Sequence, residues 1–233
     1  MPSTYRYGSA SERRCAVEAG SAVLTAGGVA LIPTETVYGI AVAISAFARP
    51  GAMLPDPGSG YRRIFSLKRR DLVQTLPLLV SGPADLDRFG LDIDSQTRCL
   101  AERFWPGALT LVVDAAERVP AFMRAADGTI ALRASSSPAV GDLIDACGCP
   151  LAATSANTHA MPAPASFAEV EPRILDGVDV AIDAGPTPCA DASTVIRISD
   201  GAPMVLREGA LPSRAIEDAL GSRHVHLRSP KES

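Results

Sequence analysis

The 233-residue sequence has no long apolar run of the kind that crosses a membrane. None of its segments approaches the ~20 consecutive apolar residues that a bilayer span requires. Residues 1–10 include Arg6 but no apolar stretch behind it, so they do not fit a signal peptide. The formal net charge of -4 also lacks the basic excess of a protein that holds nucleic acid over its whole surface. We therefore expect a cytoplasmic protein without a membrane partner, in which any cation-lined site is local.

The common nucleotide- and metal-binding motifs are absent as well. There is no Walker loop, no Rossmann glycine fingerprint and no serine elbow. Cys147-Gly-Cys149 is too short for a zinc knuckle, and the three histidines are not spaced as metal ligands, so we predict no protein metal site. We expect reduced thiols that pack as small apolar side chains at Cys15, Cys99, Cys147, Cys149 and Cys189.

The remaining composition is that of a folded domain. Hydrophobic residues make up 47% of the chain and charged residues 21%, which suffices for a core and argues against general disorder. The length favours one domain. We predict a single domain over residues 11–220, with loose tails at 1–10 and 221–233.

Short apolar runs alternate with helical stretches along the chain. This alternation predicts an α/β fold, and several connections are too short for a crossover helix, so we expect a twisted mixed sheet with flanking helices. The expected strands are 29–32, 76–80, 108–113, 129–133, 151–154, 178–182, 194–198 and 204–207. The expected helices are 11–26, with Ser11 as its cap, 61–69, 95–104, 139–146, 167–175 and 214–220.

Residues 45–60 break this rhythm. They hold three prolines and three glycines, and no regular element fits them. Loops of this length are either functional lids or disordered insertions. We favour a plain flexible insertion.

Three polar segments stand out beside the expected strands. Segment 33–39, PTETVYG, follows a buried strand and can be a turn that satisfies its own backbone or part of a site. Lys68 and Arg70 can belong to a solvated helix face or clamp a phosphate. Ser155 and Asn157 follow another strand, where ligands bind in α/β sheets, although a simple Asx turn fits equally well.

Two arginines add cationic character to strand positions. If residues 129–133 form a strand, Thr129, Ala131 and Arg133 share one face. An arginine on a half-buried face needs an anion, which can be a ligand or a structural acidic partner. Ser193 begins a later strand and Arg207 ends the next one.

Taken in this order, these segments resemble the YrdC-like family, also called the threonylcarbamoyl-AMP synthases. The resemblance runs from about Val17 to Leu211 and also includes Trp105-Pro106-Gly107, which LTL follows at 109–111. It implies a twisted mixed α/β sheet with a large concave, positively charged cleft.

The resemblance also implies a reaction. The amine of L-threonine takes up bicarbonate to form a carbamate, the carbamate attacks the α-phosphorus of ATP in the presence of Mg²⁺, and pyrophosphate leaves. Such an enzyme is a nucleotidyltransferase. The implied partners of its threonylcarbamoyl-adenylate product are a downstream tRNA threonylcarbamoyl transferase and, through a weak contact, tRNA.

The family's site residues carry over onto positions of this sequence. The resemblance implies an amino-acid site at Thr36, Arg133, Ser155 and Ser193. It implies an ATP site at Lys68, Arg70, Gln74, Thr129, Asn157 and Arg207, of which Lys68 and Arg70 act in catalysis.

Several positions depart from the family pattern. Gln74 stands where an Asn is common, and Leu79 stands where a His commonly faces the amino acid. The segment 133–138 reads RASSSP, the region between Gly39 and Ile64 is about ten residues longer than usual, and no second C-terminal domain is expected. Two alternatives therefore remain: a paralogue that makes a carbamoyl-adenylate from another amine or carbamoyl donor, and a non-catalytic RNA-binding module.

Overall fold

A computed structural model of the chain describes residues 1–48, 52–221 and 226–227. The described residues form one eleven-stranded sheet. Its strands, in chain order, are β1 (Ser3–Arg6), β2 (Ala30–Pro33), β3 (Tyr38–Ala43), β4 (Leu78–Leu79), β5 (Leu109–Asp114), β6 (Thr129–Arg133), β7 (Leu151–Ser155), β8 (Val180–Asp183), β9 (Thr194–Ser199), β10 (Ala202–Arg207) and β11 (His226–Leu227).

Seven α-helices and three 3₁₀ turns connect the described strands. The helices are α1 (Ala10–Thr25), α2 (Gly60–Lys68), α3 (Asp85–Phe89), α4 (Ser95–Phe104), α5 (Pro138–Cys147), α6 (Pro172–Asp176) and α7 (Ser213–Leu220). The 3₁₀ turns are Ile44–Ala46, Ala121–Met123 and Phe167–Glu169. None of the described helices is long and apolar enough to cross a membrane.

The strand order is β1-β8-β2-β3-β7-β4-β6-β5-β9-β10-β11. The sheet contains both parallel pairs, such as β4 with β6 and β5 with β9, and antiparallel pairs, such as β3 with β7 and β5 with β6. The helix α1 packs on α5 and β8, and α4 packs on α7 and β5. The predicted α/β fold with a mixed sheet is confirmed.

The first residues of the chain are not a loose tail. Ser3–Arg6 forms β1 and pairs in parallel with Val180–Asp183 at one end of the sheet. The helix α1 then begins at Ala10 because Ser9, not Ser11, caps it: the Ser9 hydroxyl accepts from the Glu12 backbone, and the Glu12 carboxylate accepts from the Ser9 backbone. The predicted tail at 221–233 lies largely outside the described residues.

Strand β3 is the central element that the sequence pattern did not predict. All six of its residues are buried, so the strand lacks the alternation that marks a half-exposed strand. It also contains Gly39, which usually weakens a strand. The glycine fits because a Cβ at this position would lie 3.1 Å from the Thr154 carbonyl oxygen of the neighbouring strand.

Other expectations need smaller corrections. The expected helix 167–175 is a 3₁₀ turn followed by α6, which starts at Pro172 as the first helical residue. In the expected loop 45–60, residues 45 and 46 belong to a 3₁₀ turn and 49–51 lie outside the described residues. The thiols of Cys15, Cys99 and Cys189 are exposed, so only Cys147 and Cys149 pack as small apolar side chains.

Candidate functional site

A cleft opens over the central strands of the sheet, and its empty volume, including space open to solvent, is about 590 Å³. It lies where β2, β3, β6 and β7 end or begin, which is where the polar segments of the sequence meet. Five of the predicted site residues line it, namely Thr36, Arg133, Ser155, Ser193 and Arg207. These residues come from distant parts of the sequence, and the sheet order brings them together.

The PTETVYG segment forms the turn between β2 and β3. The Thr34 hydroxyl donates to the Val37 carbonyl oxygen at 2.6 Å and accepts from the backbone N–H groups of Thr36 and Val37. This hydroxyl therefore holds the turn together, as a structural polar turn requires. In the same turn, the side chains of Glu35 and Thr36 both accept hydrogen bonds from Arg133 Nη2.

A buried ion pair connects this turn to β6. Arg133 Nη2 lies 2.7 Å from Glu35 Oε1, and both residues are 7% exposed. The Ser135 hydroxyl donates to Glu35 Oε2. Burial raises the pKa of Glu35. The charge of Arg133 and the hydrogen bonds from Ser135 and Arg133 lower it by more, so the pKa lies below its ordinary value. The structural acidic partner that the sequence left open for Arg133 is thus Glu35.

The Arg133 guanidinium has further contacts that fix one of its edges. Nε donates to the Gly107 carbonyl oxygen at 3.1 Å, and Nη2 also donates to Thr36 Oγ1 at 2.9 Å. Among the described residues, Nη1 has no hydrogen-bond partner. Arg133 therefore keeps free donors for an anion in the cleft while it is held by the protein.

Arg207 reaches the cleft from the end of β10. Its Nη2 donates to the Ser193 carbonyl oxygen at 2.7 Å, and the Ser193 and Thr110 hydroxyls share a hydrogen bond of 2.8 Å. Partial loss of hydration lowers the pKa of Arg207, and the nearby charge of Arg133 lowers it further. Two guanidinium groups in one cleft, with Glu35 as the acidic group that faces Arg133, favour an anionic ligand.

Lys68 is not on a solvated helix face. It ends α2, is 3% exposed, and donates from Nζ to the carbonyl oxygens of Ser155 at 2.6 Å and Asn157 at 2.8 Å, and to Asn157 Oδ1 at 3.1 Å. These contacts use the three donors of an ammonium group. Burial, and then the charge of Arg70, lower its pKa to about 8. Lys68 thus anchors the Ser-x-Asn turn in this structure.

The neighbouring cations differ from Lys68. Arg69 is exposed and ends the helix in the left-handed region, with φ of 51°. Arg70 donates to the Thr75 carbonyl oxygen at 2.9 Å and to Thr154 Oγ1 at 3.3 Å, while its Nε is buried without a partner among the described residues. Since Thr154 lines the cleft, Arg70 lies at its edge with donors to spare.

Asn157 is used within its own loop. Its Nδ2 donates to the carbonyl oxygens of Thr158 at 3.0 Å and Met161 at 2.5 Å, and its Oδ1 accepts from Lys68. The side chain is 6% exposed. The simple-turn interpretation of this segment therefore describes its geometry in this structure.

The structure does not bring Thr129 or Gln74 into the cleft. Thr129 is four residues from Arg133, or about 13 Å along an extended strand, and its hydroxyl donates to Asp127. Arg197 donates hydrogen bonds to that carboxylate and to the Asp114 carboxylate. Two carboxylates that share one guanidinium beside Thr129 disfavour a phosphate but not an uncharged group. Gln74 is exposed in the loop after α2.

One wall of the cleft is apolar. Leu79 is the register partner of Arg133 on the neighbouring strand, so the two side chains lie on the same face of the sheet. Leu79 is 4% exposed and lines the cleft together with Pro77, Val37 and Ala153. A ligand whose anionic group binds Arg133 therefore meets an apolar surface on the adjacent strand.

No role could be assigned from the sequence to Glu35, Thr110 and Ser135. Glu35 lies inside the PTETVYG segment, two positions after the end of β2. A buried arginine requires an acidic partner, and this position was the signal for one. Thr110 occurs in the LTL segment on the strand next to Arg133. The described residues contain no group of three or more His, Cys, Asp or Glu side chains that could hold a metal ion.

Comparisons with known proteins identify the family of this chain. A family model named for Sua5, YciO and YrdC, and described as telomere recombination, matches residues 22–209. A threonylcarbamoyl-AMP synthase of Pyrococcus abyssi is 33% identical over 200 residues, which are 86% of this chain and 56% of that protein. A putative threonylcarbamoyl-AMP synthase of Mycobacterium tuberculosis is 29% identical over 95% of this chain and 96% of its own length. The chain thus spans little more than half of the first relative.

Solved structures show the same fold. The structure of P. abyssi Sua5 complexed with L-threonine superposes with a TM-score of 0.82 and 28% identity, covering 98% of this chain and 62% of that one. Escherichia coli YciO superposes with a TM-score of 0.77 at 21% identity, covering 93% of this chain and all of its own. Because the family model covers most of the sequence and the fold is shared, this chain belongs to the Sua5/YciO/YrdC family.

Proposed function

We propose that the chain synthesises L-threonylcarbamoyl-adenylate from L-threonine, bicarbonate and ATP, as a nucleotidyltransferase of the cytoplasm. The observation that carries this proposal is the distribution of charge in the cleft. A held arginine with free donors, Arg133, lies beside hydroxyls of Thr36 and Ser193, while Arg70 and Arg207 supply further cationic groups. The likeness to a Sua5 structure complexed with L-threonine supports the same function.

The reaction balances as two steps. The threonine amine attacks the bicarbonate carbon, water leaves, and an N-carbamate forms. A carbamate oxygen then forms a bond to the α-phosphorus of ATP while the bond to the β-phosphate oxygen breaks, so pyrophosphate leaves. Such a displacement needs positioning and neutralisation of charge more than a general base. A cleft of arginines and hydroxyls fits this demand.

We assign the two halves of the cleft as follows. Arg133 binds the threonine carboxylate through its free Nη1 donors, with Thr36, Ser155 and Ser193 around the amino acid. Arg70 and Arg207 bind phosphoryl oxygens as guanidinium forks. In this arrangement Lys68 acts mainly through the turn that it holds, because its ammonium donors are already used there.

The other predicted members of the ATP site are Asn157, Thr129 and Gln74. Asn157 is engaged within its loop, and Thr129 and Gln74 lie away from the cleft. The acidic surroundings of Thr129 suit the ribose or base of ATP better than its phosphates. These three positions can contact ATP only if the nucleotide extends beyond the cleft described above.

The described residues do not fit a protein-bound magnesium site. Mg²⁺ in proteins is held by one or two carboxylates together with substrate phosphates. Both oxygens of Glu35, the acidic group beside Arg133, already accept hydrogen bonds from Arg133 and Ser135. We therefore assign no ligand of Mg²⁺ to this cleft and derive no step through the metal.

The adenylate product is passed to a downstream tRNA threonylcarbamoyl transferase.

A second candidate is a paralogue that activates a different amine or carbamoyl donor. The specific observation in its favour is Leu79, which gives the wall next to Arg133 an apolar surface. A threonine hydroxyl gains no hydrogen bond from this side chain. The reaction type is the same in both candidates, and only the amine differs.

Pyrophosphate release separates the two candidates. Purified protein is incubated with ATP, Mg²⁺ and bicarbonate, and threonine is omitted or replaced by a panel of other amines. Release that requires both threonine and bicarbonate supports the first candidate. Release with a different amine supports the second, and no release with any amine contradicts both.

A further inference from the structure

The carboxylate of Glu35 has no assigned role in the proposed reaction, although it contacts Arg133, which lines the cleft. It is 7% exposed, and burying a lone carboxylate is costly unless it is paired. One oxygen accepts from Arg133 at 2.7 Å and the other accepts from Ser135. These contacts make it a partner of the arginine, and they leave neither oxygen unoccupied.

The contacts of Arg133 define the orientation of its guanidinium plane. Three protein acceptors hold its Nε and Nη2 edge: the Gly107 carbonyl oxygen, Glu35 Oε1 and Thr36 Oγ1. Of these acceptors, Glu35 alone carries charge. The Nη1 donors, which have no partner in the described part of the chain, are thus presented in one fixed direction.

Glu35 is itself held in place by backbone contacts. Its carbonyl oxygen accepts from the Cys189 N–H at 2.9 Å, and the next carbonyl, of Thr36, accepts from the Thr187 hydroxyl at 2.8 Å. Ser135, the other partner of the carboxylate, accepts from the Ser137 N–H at 3.2 Å. The backbone around Glu35 is therefore held by residues 187–189, while its carboxylate is held by Ser135 and Arg133.

We propose that Glu35 is a positioning residue that sets the orientation of the Arg133 guanidinium for the carboxylate of the amino-acid substrate. This inference rests on the proposed function of the cleft. Glu35 does not touch the substrate, and it acts through Arg133. Because Glu35 also pairs with the buried Arg133, it offsets the cost of burying that cation.

The test uses Glu35→Gln, which keeps the shape and removes the charge, and Glu35→Asp, which keeps the charge on a shorter stem. Glu169→Gln is the matched control, because Glu169 is exposed and caps a local turn at Ala165 and Ser166. Pyrophosphate release is measured against threonine at saturating ATP, and against ATP at saturating threonine. Thermal unfolding of each variant reports whether it folds.

We expect Glu35→Gln to raise the KM for threonine by about 10- to 100-fold, the range for the loss of one hydrogen bond between charged groups. The KM for ATP and kcat should stay within about threefold, since the carboxylate binds one guanidinium only. Glu35→Asp should recover part of the loss, and Glu169→Gln should behave as the wild type.

Several results would overturn the inference. A folded Glu35→Gln variant with an unchanged KM for threonine would leave the proposed function standing and remove the positioning role. An equal rise of both KM values, or failure of both Glu35 variants to fold, would assign Glu35 a structural role only. If the wild-type protein released no pyrophosphate with threonine, the proposed function and this inference would both be wrong.

Discussion

Replacing Lys68 with methionine should destabilise the protein and lower its rate of pyrophosphate release at the same time. The substitution keeps the apolar stem and removes the ammonium group that donates to Ser155 and Asn157. Two buried carbonyl oxygens then lose a charged donor. The turn that carries Ser155 into the cleft loses its anchor, so the loss of stability and the loss of activity share one cause.

The magnitude follows from the contacts. A buried carbonyl left without its donor costs about 1–3 kcal/mol, so two of them cost about 2–6 kcal/mol. Removing a buried cation returns part of that cost, because its desolvation penalty disappears as well. We expect a net loss of about 3 kcal/mol in the free energy of unfolding, which is a large fraction of the ~5–15 kcal/mol typical of a domain.

Urea denaturation measures this loss, with Arg98→Met as the control. Arg98 forms an exposed ion pair with Asp87, so its replacement should cost less than about 1 kcal/mol. If Lys68→Met is as stable as the wild type but no longer uses ATP, the ammonium contacts a phosphate rather than the turn. If it loses neither stability nor activity, both roles of Lys68 are refuted.

Three further predictions concern the same cleft. Arg133→Ala should raise the KM for threonine about 100-fold while the KM for ATP changes little, as expected when a charge-assisted contact to one substrate is lost; loss of ATP use instead would mean that the two halves are reversed. Burial and the charge of Arg70 lower the pKa of Lys68 from 10.5 to about 8. Between these pH values the lysine is protonated in the unfolded chain but not in the folded one, so the free energy of unfolding in urea should rise with pH across that window. The same slope in Lys68→Met would contradict this prediction. Because Leu79 offers no hydrogen bond, kcat/KM for threonine should exceed that for valine by less than about 100-fold, and a ratio above about 10,000-fold would contradict an apolar side-chain pocket.

Much of the sheet could be predicted from local patterns. Strand β6 and helix α4 have the predicted bounds because each carries a clear period and a clear end signal, such as the Asp94 cap of α4. Strand β3 could not be predicted because it begins inside the PTETVYG turn and contains Gly39, which usually weakens a strand. Strand β1 could not be predicted because its four residues are polar or aromatic and form a strand only through pairing with β8.

The site was predictable in its segments but not in its contacts. Thr36, Arg133, Ser155, Ser193 and Arg207 could be named from motifs, and they meet in one cleft. The pairing of Glu35 with Arg133 joins residues 98 positions apart, which no local pattern specifies. The same limit applies to Lys68, whose burial depends on a loop 87 to 89 positions away.

Pyrophosphate release from ATP is the measurement that tests the central claim most directly. The protein is supplied with Mg²⁺, and threonine and bicarbonate are each omitted in turn. We expect release only when both are present, with formation of an adenylate that contains the threonine carbon atoms. No release with threonine and bicarbonate together would contradict the central claim.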